Sequence, residues 1–209
     1  MKAFTTCQGV AAVMMQDNID TDQIIRIERI AQLRRGEFAP WVFEGRRYLT
    51  DGSENREFIL NTEAFRHAAI LIAGDNFGCG SSREMAVWAL EEFGIRCIIA
   101  PSFGDIFFSN CLQNGLLPIV LERGDVQRLA AAASSGAVFS IDLRSCAVGT
   151  DQTGVMHFDL LDVQRHALLL GQDEIAQTLN LTPQIDEFQE RDRLARPWAY
   201  MTAGFLHDD

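Results

Sequence analysis

The stretch Gly74-Asp75-Asn76-Phe77-Gly78-Cys79-Gly80-Ser81-Ser82-Arg83-Glu84 constrains this chain more than any other, because it joins a strand-length apolar run to an amphipathic segment. The run is Ala68 to Ala73. In the segment from Ser82 to Phe93, Ala86, Ala89, Leu90 and Phe93 recur at helical spacing and form one apolar stripe. Gly94 stands where a helix ends in the left-handed conformation, and Ile95 to Ala100 reads as a second buried strand. Strand, helix and strand in that order make a right-handed crossover with a parallel pair. The alternation continues: Phe103 to Gln113 reads as a helix, Asn114-Gly115 as its stop and Leu116 to Leu121 as a third strand. An α/β layer follows.

Upstream, Gly9 to Met15 reads as a strand running into a polar loop, Gln16-Asp17-Asn18-Ile19-Asp20-Thr21-Asp22, and loops at strand ends tend to carry chemistry. Residues 36–58 mix Trp41, Phe43, Tyr48 and Phe58 with many charges and show no period, which predicts an irregular excursion. Ala137 to Leu143 and Val155 to Leu160 flank Gly149 to Gly154 and read as one hairpin. Val163 to Leu170 reads as a helix. A further helix starts at Thr182-Pro183 and stops before Pro197, within a helical C-terminal extension over residues 172–209. With no internal repeat and no Pro/Ser-rich linker, the 209 residues read as one domain. The expected class is α/β in three layers: a mixed or parallel central sheet, a smaller antiparallel sheet and a helical layer.

At 47% hydrophobic content the chain can bury a core without a disulfide framework or structural metal. Its apolar runs fall far short of the ~20 residues that span a bilayer, and its N-terminus lacks the apolar region of a secretory signal, so a cytoplasmic location is expected. A net charge of −11 argues against nucleic acid, which is bound through basic faces. The same charge repels small carboxylates at long range, so any anion site must rest on local donors and arginines. The cysteines at 7, 79, 97, 111 and 146 and the histidines at 67, 157, 166 and 207 show no ligand spacing, and no metal or cofactor site is expected on this chain.

Such local donors gather in the turn from Gly74 to Glu84. Its glycines let backbone approach a ligand, and the start of the following helix adds roughly half a positive charge. Ser81, Ser82 and Arg83 add two hydroxyls and a planar guanidinium, a set suited to holding a carboxylate. Ser81 also has a plainer reading, because Ser81-x-x-Glu84 is a capping box at a helix start. For Arg83 the plain surface reading fits less well, since a cation beside a positive helix end needs an anion to balance it. Rival motifs fail on named residues. A dinucleotide fingerprint from Gly78 and Gly80 would need glycine at Arg83, a P-loop would need a lysine, and a nucleophile elbow at Cys79 would need glycines at Phe77 and Ser81. Cys79, near a helix start, stays open as a reactive thiol.

Asn76-Phe77-Gly78-Cys79-Gly80-Ser81-Ser82-Arg83-Glu84, with Asn18-Ile19-Asp20-Thr21-Asp22-Gln23-Ile24-Ile25 and Ala100-Pro101-Ser102-Phe103-Gly104-Asp105-Ile106-Phe107, resembles the small subunits of 3-isopropylmalate dehydratase. The likeness runs from the N-terminus to about Trp198. The resemblance implies the swivelling β/β/α domain of aconitase, present as a separate polypeptide. It implies a hydro-lyase that interconverts 2-isopropylmalate and 3-isopropylmalate through 2-isopropylmaleate in leucine biosynthesis. It also implies a heterodimer or heterotetramer with a large subunit that carries a 4Fe-4S cluster. Residue by residue, it implies Ser81 as the base, acting as an alkoxide, and Asp22 as an active-site carboxylate. Ser82, Arg83 and Arg34 would contact a small dicarboxylate substrate, with Arg35 nearly as well placed as Arg34.

Two positions depart from the family pattern. Met85 follows Ser-Arg-Glu where histidine is usual, and Arg26 follows Ile24-Ile25 where proline is usual. Met85 lies beside the helix stripe, so repacking accounts for it. Arg26, close to Asp22, leaves open a related substrate of the 2-methylmalate/citraconate, dimethylmalate or homoaconitate type. Outside enzymes, the alternative is a stand-alone anion-binding module built on the same turn.

Overall fold

Runs such as Ile70-Leu71-Ile72-Ala73 carry no polar side chain, so as strands they must be covered on both faces. The computed structural model, which describes residues 1–200, builds them into a seven-stranded sheet. β1 (Thr6–Met14), β2 (Ile70–Ala73), β3 (Cys97–Ala100) and β4 (Leu117–Val120) are parallel to one another. β5 (Val138–Asp142), β6 (Ala147–Thr150) and β7 (Gly154–His157) continue it antiparallel, in the order β4-β3-β2-β1-β5-β6-β7. Pro118, which cannot donate to a ladder, is tolerated because β4 is an edge strand.

β1 is the seam. Thr6 to Val10 pair antiparallel with β5, and Ala11 to Met14 pair parallel with β2. The two sheets expected from the sequence are therefore joined through β1 into one ladder. The antiparallel part still has a face of its own: Phe139, Ile141, Val148 and Met156 share a core with Ile70, Ile72 and Ile99, so the sheet curls over on itself. The alternate residues Leu71, Ala73 and Ile98 point to a second core on the opposite face.

Three single-turn helices lie between β1 and β2: α1 (Thr21–Ile24), α2 (Ile27–Ile30) and α3 (Glu44–Arg47). α4 (Met85–Phe93) and α5 (Asp105–Asn114) are the crossovers that bring β2 to β3 and β3 to β4, and both bury their apolar sides in the second core. Gly94 (φ 114°) and Gly115 (φ 80°) end them in the left-handed conformation, as their sequence positions require. α6 (Arg123–Ser134), which the sequence reading did not identify, follows β4 and buries Val126, Leu129, Ala130 and Ala133 in the first core; α7 (Asp162–Leu170) adds Leu168 to it.

The expected hairpin is a three-stranded meander instead. β6 starts ahead of the segment read as a turn and takes in its first two residues, Gly149 and Thr150, and the tight connection is Thr150 to Gly154. Gly149 makes this close approach workable, since a Cβ there would stand 2.1 Å from the Gly154 carbonyl oxygen. Residues 36–58 are built around short helical turns with Phe38, Val42 and Phe43 buried. The buried Arg47 is held by the Ala39 and Pro40 carbonyls and by Asn61 Oδ1 at 3.0 Å, and it stacks on Phe93.

Residues 173–200 belong to a separate compact unit. It holds α8 (Glu174–Leu179), capped by Asp173 accepting from the Ala176 amide, and α9 (Thr182–Ala195), begun by Pro183 as expected. The end of the expected extension, residues 201–209 with His207, lies outside the described residues.

Candidate active site

Because β1, β2 and β3 are parallel neighbours, their C-terminal ends open onto one edge of the sheet, where α/β folds place ligands. Backbone bonds stitch the three loops together there. The Asn18 amide donates to the Asp75 carbonyl (2.8 Å), Gly78 to Ile19 (2.7 Å) and Thr21 to Cys79 (2.9 Å). The Phe77 amide donates to Ser102 and Gly104 to Phe77, which adds the loop after β3. Asn18 and Asn76 sit at φ 58° and 55°, and their side chains bond each other at 2.8 Å. Gly78, at φ 74°, lies flat against Phe107: a Cβ would come within 2.2 Å of the ring.

This stitching brings four of the five sequence-derived site residues together. The Ser81 hydroxyl is 2.8 Å from the hydroxyl of Thr21, itself buried at 1% exposure. Both terminal nitrogens of Arg83 donate to the two carboxylate oxygens of Asp22, and Arg83 is 20% exposed while Asp22 is 58% exposed. Ser82, beside them on the same loop, is exposed. Among the described residues the amides of Ser81, Ser82 and Arg83 have no protein acceptor.

Arg34 is not part of this cluster. Its amide donates to Glu37 Oε2 at 2.7 Å, its side chain is exposed, and among the described residues no contact ties its guanidinium to Ser81 or Asp22. Arg35 is committed elsewhere, paired with Glu91 and stacked over Trp88.

The capping-box reading of Ser81 does not hold. The helix begins only at Met85, Glu84 is its N-cap residue, and no side chain caps it. The reason lies in the partners: Asn114, buried at 5% exposure, donates to Glu84 Oε1 at 2.8 Å, and the Ser81 hydroxyl is turned to Thr21. Met85 packs into the second core, in line with repacking at that position.

Two groups escaped the sequence reading. Thr21 is one; its only signal was its place between Asp20 and Asp22 in the polar loop. The other is Arg123, which pairs with both Asp17 and Asp75, three residues far apart in the chain and brought together by the parallel order.

The donors present do not fit an iron–sulfur cluster. Among the described residues no three of His, Cys, Asp and Glu converge as a metal site. Burial pushes the Cys97 and Cys111 thiols well above their ordinary range, the opposite of what a thiolate ligand needs. Cys79 contributes its carbonyl to the loop stitching, and among the described residues no hydrogen bond reaches its thiol.

Fold and site thus describe an α/β domain with a hydroxyl and a guanidinium gathered at its strand ends. Residues 1–124 match the family of the aconitase C-terminal domain. The 3-isopropylmalate dehydratase small subunit of Mesorhizobium japonicum is 46% identical over 201 residues, 95% of this chain and all of that protein. That of Agrobacterium fabrum is likewise 46% identical over 95% of this chain and all of that protein. The crystal structure of a 3-isopropylmalate dehydratase (leuD) from Methanocaldococcus jannaschii superposes with a TM-score of 0.65 at 26% identity, covering 87% of this chain and 99% of that one. The chain belongs to the aconitase C-terminal domain family and, within it, to the 3-isopropylmalate dehydratase small subunits.

Proposed function

We propose that this chain is the small subunit of a cytoplasmic 3-isopropylmalate dehydratase of leucine biosynthesis, and that it supplies the proton-handling and carboxylate-binding half of the active site. The observation that carries this reading is the meeting of Ser81 with Thr21 and of Arg83 with Asp22 at the strand ends. Ser81 acts as the base that takes a proton from the carbon beside a substrate carboxylate. A serine hydroxyl is ordinarily far too weak a base for this. The free amides of Ser81, Ser82 and Arg83, the Arg83 charge and a hydrogen bond from Thr21 all favour the alkoxide.

Arg83 and Ser82 hold the carboxylate, which takes the place that Asp22 fills in the free chain, and Arg34 reaches the substrate's other end. Asp22, once displaced, orients the guanidinium from the side. A 4Fe-4S cluster on the large subunit would supply the Lewis acid for the substrate hydroxyl, and none of this chain's described residues would hold it. In this reading the chain is one swivelling domain with a helical C-terminal extension that begins at about residue 172. A stand-alone anion-binding module is disfavoured by the chain's place among the 3-isopropylmalate dehydratase small subunits.

The test combines the purified chain with an iron–sulfur large subunit and follows the conjugated alkene of 2-isopropylmaleate by ultraviolet absorbance. The chain alone is inactive and the mixture turns over 3-isopropylmalate. A complex with an intact cluster that turns over 2-methylmalate, dimethylmalate or homoaconitate but no isopropylmalate would move the assignment to that substrate.

A further inference from the structure

The loops carrying Thr21 and Ser81 each bear an acidic residue where they leave the sheet, Asp17 after β1 and Asp75 after β2. These carboxylates are neighbours: the Asp75 amide donates to Asp17 Oδ1 at 2.9 Å, and one nitrogen of Arg123, Nη2, donates to both, at 3.0 Å to Asp17 Oδ2 and also to Asp75 Oδ2. Arg123 is the first residue of α6 and comes from the end of β4, so it reaches across the sheet edge to loops it has no covalent tie with. It lines a 510 Å³ cleft with Asp75, Glu122, Asp125, His157 and Asp159, and its guanidinium is the one permanent positive charge among those lining residues.

We propose that Arg123 is a positioning residue for the dehydratase chemistry. It bridges Asp17 and Asp75, offsetting one of their two charges, and thereby holds the β1 and β2 loops at the separation that keeps Thr21 on Ser81 and Asp22 beside Arg83. Without it, the two carboxylates repel each other at the base of the loops, and that repulsion bears on the Asn18–Asp75 and Asn18–Asn76 bonds that stitch them. Asp17 is four residues from Thr21, and Asp75 six from Ser81, so a small opening there is carried directly into the site. Misplacement of reacting groups by a fraction of an ångström is costly in rate. Stability is affected much less, because Arg123, Asp17 and Asp75 are 51%, 44% and 33% exposed and such pairs contribute little to folding.

This inference rests on the dehydratase reading, and the experiment separates the two. In complex with the large subunit, the unaltered chain is measured first; absence of turnover there counts against the function itself. With that complex active, Arg123→Met lowers kcat on the order of tenfold while KM for 3-isopropylmalate changes about twofold or less, because Ser82 and Arg83 stay together on one loop. Arg123→Lys restores most of kcat, since it keeps the charge. The double variant Arg123→Met/Asp75→Asn recovers to roughly threefold of the unaltered chain, because one carboxylate of the repelling pair is gone. The recovery also serves if the single variant fails to assemble. Unchanged kcat in Arg123→Met, or a double variant as impaired as the single one, overturns the proposal.

Discussion

Removing one oxygen atom, by Ser81→Ala, separates the catalytic reading of this residue from every structural one. The hydroxyl makes one described hydrogen bond, to Thr21 at 2.8 Å, and caps no helix, since α4 begins four residues later. Its loss leaves the buried Thr21 hydroxyl without that partner, a cost of about 1 kcal/mol. For a domain of this size that corresponds to a fall in Tm of roughly 2–4 °C. Losing a general base costs about 10²- to 10⁴-fold in rate, or about 3–5 kcal/mol of transition-state stabilisation. The two effects are read independently, by thermal denaturation of the isolated chain and by steady-state turnover of 3-isopropylmalate in the reconstituted complex. The expected result is a modest Tm shift with kcat reduced at least a hundredfold and the complex still assembled. A variant that retains kcat within tenfold would refute the assignment of Ser81 as the base, whatever its stability.

Thr21→Val keeps the shape of a buried residue but removes the hydroxyl that bonds Ser81; kcat falls about tenfold to a hundredfold with the Tm nearly unchanged, measured in the same two assays. Arg83→Lys cannot reproduce a fork that engages both oxygens of a carboxylate, so kcat/KM falls about tenfold to a hundredfold, and a near-normal value would mean the fork does not hold substrate. Gly78→Ala meets both a left-handed backbone and the Phe107 ring; it destabilises the chain by about 2–4 kcal/mol, seen as a Tm drop of roughly 5–15 °C in thermal denaturation.

The parallel half of the fold was legible because its strands are unbroken apolar runs separated by glycine-terminated helices, and periodicity reads such patterns directly. Element ends shifted by a few residues: the strand expected over Ala68–Ala73 forms over Ile70–Ala73, and the helix expected from Ser82 starts at Met85. The antiparallel half was harder. Ala147-Val148-Gly149-Thr150 contains a glycine and has no alternation, so nothing local marks it as a strand; its place is set by pairing with β5 and β7. Ser81 and Arg83 could be singled out because they adjoin glycines at a strand-to-helix turn. Their partners Thr21 and Asp22 lie some 60 positions away, and no spacing rule links them. Only the neighbouring parallel pairing of β1 with β2 puts the two loops side by side. Arg123 was invisible for the same reason: its partners come from two other loops.

If a chain of net charge −11 is to take a dianion as proposed, it must solve its electrostatics locally, and the loop carboxylates show how. Asp20 accepts from the Gln23 amide at 2.8 Å, Asp17 and Asp75 share Arg123, and Asp22 fills the Arg83 fork. Each of these carboxylates therefore accepts at least one hydrogen bond before any substrate arrives. An incoming carboxylate that takes the fork must displace Asp22, and the exchange replaces one charge-assisted pair by another of the same kind. At that one point the gain is close to nil. Net affinity has to come from the rest of the substrate: its second carboxylate, its hydroxyl and its alkyl group. For a Lewis-acid centre at that hydroxyl, no group of metal-ligating side chains converges among the described residues. If substrate binds Arg83 as proposed, the free energy that pulls it there must come mostly from those other contacts, which gives a physical reason why a small subunit with this site would need its large-subunit partner.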